Sequence, residues 1–111
     1  MTKTEIKNLI REVTERMNGN TEVKWFVNTN TANTITIGND YIGSGDAFKI
    51  QYKKDTTFDT EDEYITVSTL PDNTAFTFIL IGNTRWDDTN NKADGMEKAV
   101  KAVAHYFNYC Y

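Results

Sequence analysis

The residues of this chain whose types could do chemistry are few, and their spacing argues mostly against catalysis. A structural zinc ion takes about four Cys or His ligands. Only Cys110 and His105 are on offer, and their separation splays them around a helix. His105 has no Ser or Cys beside it in a pattern that would pair a nucleophile with a base. No GxxxxGK[ST] motif occurs, and Gly43-Ser44-Gly45-Asp46 lacks the third glycine and the following helix of a phosphate-binding loop, so it reads as a turn. No catalytic residue, metal ligand or cofactor site is assigned, and the chain reads as a non-enzyme.

The acidic run 55–63, DTTFDTEDE, is the densest cluster of functional groups. It carries five carboxylates in a chain whose net charge is −4. Asp55, Asp59, Glu61 and Glu63 present oxygens at short spacing, but the run lacks the glycine and the distant bidentate Glu of an EF-hand loop. It reads instead as a connection between strands that offers negative charge to a partner. Phe58 stands inside it. A second loop, NTRWDDTNNKADG, raises Trp86 beside Arg85, Asp87 and Asp88, and aromatic and arginine side chains on loops are the types that anchor interfaces. The candidate partner-binding residues are therefore Phe58, Asp59, Glu61, Asp62, Glu63, Arg85, Trp86, Asp87 and Asp88. Concentrated negative charge steers such a surface towards a basic protein and away from direct phosphate contact. An inhibitor that occupies the basic cleft of a nucleic-acid enzyme is one special case. Composition rich in Asn, Thr and Ile suits a phage or mobile element of an AT-rich bacterium.

A competing use is a small enzyme or small-anion site on a sheet face. Lys24, Lys49 and Lys53, with Gln51, fall at alternate strand positions and would point one way. Strand lysines also discourage edge pairing, which requires no ligand.

The elements that must position these groups follow from periodicity. Thr2-x-x-Glu5 has capping-box spacing. Ile6, Leu9, Ile10, Val13 and Met17 then recur at helical spacing until Asn18-Gly19 supplies a left-handed stop. Glu12 and Arg16 are placed for an i,i+4 pair. At the other end Met96, Ala99, Val100, Val103, Phe107 and Cys110 form a second stripe, opposed by Glu97, Lys98, Lys101, His105 and Asn108.

Between the two stripes the period is two. Thr, Ile and Val dominate, with only three Leu, and β-branched side chains suit a pleated surface. Strands are expected around 23–27, 35–37, 48–52, 65–67 and 75–81. The last, AFTFILI, is expected to be central, with Phe78 in the core. Turns are expected at 28–33, 43–46 and 71–73, the last a hairpin.

Short connections make neighbouring strands antiparallel. The predicted fold is α+β: a two-layer sandwich in which an antiparallel sheet of about five strands packs both terminal helices on one face. The other face, bearing Lys24, Thr34, Thr36, Lys49, Gln51, Lys53, Thr66 and Ser68, is expected to be open. Length bounds the chain to one domain, 1–111. The lone cysteine, the absence of a long apolar run and the polar N-terminal stretch fit a cytoplasmic protein without a membrane partner.

In its order of elements, size and acidity the chain resembles, in outline, the type III secretion chaperones, although it shows no helix between the third and fourth strands. That resemblance implies a homodimer, for which an exposed edge strand or the Tyr106, Tyr109 and Tyr111 cluster would serve. No residue roles are carried over from it.

Overall fold

The computed structural model describes residues 1–41, 45–55, 62–83 and 92–110. Helix α1 spans Lys3–Arg16. Its start is fixed by Thr2, whose hydroxyl accepts a hydrogen bond from the Glu5 N–H at 3.1 Å. Its end is fixed by Asn18 in the left-handed region at φ 63°, and a Cβ on Gly19 would run into the Thr14 carbonyl. Ile6, Ile10 and Thr14 form its buried stripe. Arg16 pairs with Glu12 one turn back on the wet side.

Five strands follow: β1 (Trp25–Asn30), β2 (Thr34–Asn39), β3 (Asp46–Asp55), β4 (Asp62–Thr69) and β5 (Thr74–Asn83). They form one sheet in the order β1-β2-β3-β4-β5, each pair antiparallel. The turn before β5 places Asn73 at φ 56°. Helix α2 spans Lys92–Cys110 and buries Met96, Ala99, Val100, Val103, Ala104 and Phe107.

The register aligns the apolar side chains on one face. Ile35 meets Ile50, which meets Val67, and Tyr52 meets Ile65, which meets Ile79. These residues and the stripes of both helices form a single buried cluster. Helix α1 lies against β1 and α2, and α2 lies across β3, β4 and β5. Gly95 lets α2 come close, since a Cβ there would stand 2.9 Å from Ile65 Cδ1 and 3.2 Å from Ile81 Cγ1. Trp25 meets Phe107 edge-on at 5.1 Å, and Tyr106 packs on Phe76 at 4.2 Å and on Phe48 at 5.8 Å. Tyr106 is thus a rivet between helix and sheet, whereas Tyr109 is exposed. Tyr111 lies outside the described residues. The two-layer α+β architecture is the one the periodicity predicts.

The structure corrects two expectations about β5. It is an edge strand rather than a central one, and Phe78 is 68% exposed on the open face, with Leu80 beside it at 71%. Phe78 pairs with Thr66 of the open face, and a bulge separates it from Phe76. Val67 pairs with Thr77 but Ser68 pairs with Ala75, so Phe76 is an inserted residue. The insertion re-aims Phe76 into the core, where its ring meets Phe48, and leaves Phe78 on the opposite face from it. The open face differs from expectation as well. Thr36, Thr66 and Ser68 are buried, because each short side chain stands beside a longer cross-strand neighbour, Lys49 for Thr36 and Ser68, and Gln51 and Phe78 for Thr66.

Candidate recognition surface

The β3–β4 and β4–β5 ladders determine which candidate groups share a region. Asp55 pairs with Asp62, and Asp62 pairs with Asn83. The acidic run 56–61 and the segment 84–91 therefore leave the described fold from a single rung at one end of the sheet. Two rungs inward lie Lys53, Tyr64 and Leu80, and beyond them Gln51, Thr66 and Phe78.

Of the nine candidate residues, only two lie on the described fold. Asp62 opens β4, and Glu63 is half-buried opposite Lys54. Phe58, Asp59, Glu61, Arg85, Trp86, Asp87 and Asp88 lie outside the described residues.

The periodicity did not single out the open-face apolar group that adjoins this end. Tyr64 is half-buried, its ring centroid 6.5 Å from that of Phe78 at a tilt of 39°. Phe78 and Leu80 stand out beyond it. The run AFTFILI is apolar on both faces, so alternation alone could not tell which side chains face water. The register decides it: β4 has a clear apolar side in Ile65 and Val67, and pairing Ile79 with Ile65 turns Phe78 outward.

The lysine face is less convergent than predicted. Lys49 and Lys53 share the open face of β3, half-buried and exposed respectively. Lys24 precedes β1 at the far edge, where its N–H donates to Asp40 Oδ1 at 2.9 Å. His105 is exposed on α2 with its ring 4.5 Å from Tyr109, and Cys110 is an exposed free thiol. Among the described residues no three of His, Cys, Asp and Glu gather in a way that could hold a metal ion. No described helix is long and apolar enough to cross a membrane.

Compared with known proteins, the chain matches no family model, no curated protein sequence and no solved structure.

Proposed function

We propose that this domain is a non-enzymatic protein-binding module that recognises its partner with one end of the sheet and the adjoining open face. The observation that carries the reading is the rung Asp55–Asp62–Asn83. It gives the acidic run and the Arg85–Trp86 segment a common origin, next to the exposed Phe78 and Leu80. Exposed apolar side chains bordered by charge are the composition of an interface, an apolar centre within a polar rim. The carboxylates select a partner with a basic surface and speed its approach, while Phe78, Leu80 and the loop aromatics supply the burial that holds it. A nucleic-acid enzyme, whose cleft is basic because its substrate is not, is the partner class that fits best, and the domain then acts as an inhibitor standing in for phosphate charge. The protein is expected to work in the cytoplasm, where such enzymes are found.

Two variants test this reading separately. In the first, Asp59→Asn, Glu61→Gln, Asp62→Asn and Glu63→Gln remove charge from the run. In the second, Phe78→Ser and Leu80→Ser remove the apolar group. Both are expected to fold and to lose the proteins that the wild type retains from a lysate, and about 0.5 M salt should release those proteins from the wild type. Retention of the same proteins by all three forms would refute the proposal.

A further inference from the structure

We propose that the cleft between α1 and the start of β1 binds a small organic anion, one whose negative group is carried on an apolar body. The site is separate from the end of the sheet described above. The cleft has a volume of about 540 Å3, within the range of small-molecule sites. Lys7, Arg11 and Lys24 stand on its rim with a single acid, Glu22, and Trp25 and Phe26 line it. Three cations against one carboxylate invert locally the sign of a chain whose net charge is −4.

The charges are placed at a cost. Lys7 and Arg11 are one turn apart on α1, and like charges at that spacing repel. Elsewhere on the helices Arg16, Lys98 and Lys101 each pair with an acid one turn back. None of Lys7, Arg11 and Lys24 makes an ion pair among the described residues. An anion between them would remove the repulsion and accept charge-assisted hydrogen bonds from both side chains.

The other wall is the segment 21–26, anchored through its backbone. Lys24 is bracketed by its N–H bond to Asp40 Oδ1 and by the bond that the Asp40 N–H donates to its carbonyl at 3.1 Å. Trp25 is 3% exposed, and its indole N–H is buried with no partner among the described residues. Phe26 is half-buried and lies over Gly38, where a Cβ would meet its ring. With Val23, Trp25 and Phe26 along it the wall is mostly apolar, and beside three cations it suits an apolar body with a charged end.

The probes are 2-naphthyl phosphate, 2-naphthoate, 2-naphthol and inorganic phosphate, titrated into the full chain while amide resonances are followed by NMR. The expected result is saturable shifts at residues 7–11 and 21–26 with the phosphate ester or the carboxylate, the tighter of the two naming the preferred headgroup. Naphthol and inorganic phosphate should each bind at least about tenfold more weakly. The Lys7→Gln/Arg11→Gln variant should weaken binding about tenfold or more. Glu22→Gln should tighten it about twofold, a gain that mere loss of structure would not produce. No shifts at about 5 mM of either naphthyl anion would overturn the proposal, as would shifts that map elsewhere in the wild type. Equal affinity for naphthol, or for the double variant, would overturn it too.

Discussion

Two phenylalanines show what a side chain's face decides. Phe48 is fully buried and meets Phe76 and Tyr106, whereas Phe78 stands 68% exposed one strand beyond β4. Phe48→Ala is expected to cost about 3–5 kcal/mol, the transfer and cavity terms together. Phe78→Ala should cost no more than about 1 kcal/mol, because little is buried and no cavity forms. Urea unfolding at equilibrium measures both, and equal losses would put Phe78 in the core. Ile65, Val67, Val100 and Val103 were legible as core because polar residues flank them at the right period. Phe76 and Phe78 were not, because they sit in an apolar run and a bulge separates them. A bulge is a property of two paired strands, and no local pattern in one of them announces it.

Helix α1 was legible almost to the residue, because a cap and a stop act locally, whereas α2 starts at Lys92, inside the stretch NTRWDDTNNKADG that reads as a loop. Thr2→Ala removes the acceptor for the Glu5 N–H and is expected to cost about 1 kcal/mol. It should also raise hydrogen exchange in the first turn of α1 while leaving α2 unchanged. Close approach depends on the partner element and was not legible. Gly95 reads from sequence as the end of a loop, yet it lies in α2, and Ile65 and Ile81 fill the space where a Cβ would go. Gly95→Val is therefore expected to destabilise by about 1–3 kcal/mol despite adding apolar surface, as other overpacked substitutions do. A thermal melt at or above the wild-type midpoint would show that α2 does not lie close enough to the sheet for Gly95 to be required. The candidate loops posed a different difficulty. Their residue types were readable, but their common origin required the register that pairs Asp62 with both Asp55 and Asn83.

At the scale of the whole molecule, the burial of both helices on one face organises everything else. The sheet has five strands and two faces, and the helical stripes have apolar surface enough for one of them. The other face carries the exposed Phe78 and Leu80 and is left uncovered by the helices. This division of labour is tested most directly by cysteine labelling along β5. Phe78→Cys, Ile79→Cys, Leu80→Cys and Ile81→Cys are made singly in a Cys110→Ser background, and the rate of reaction with a maleimide is measured under native conditions. Alternating rates are expected. Positions 78 and 80 should react at rates close to those of the unfolded chain, and 79 and 81 should be slowed by at least about tenfold. Slow reaction at 78 and 80 would mean that this second face is covered too, and that the helices do not divide the sheet into a buried and an open side.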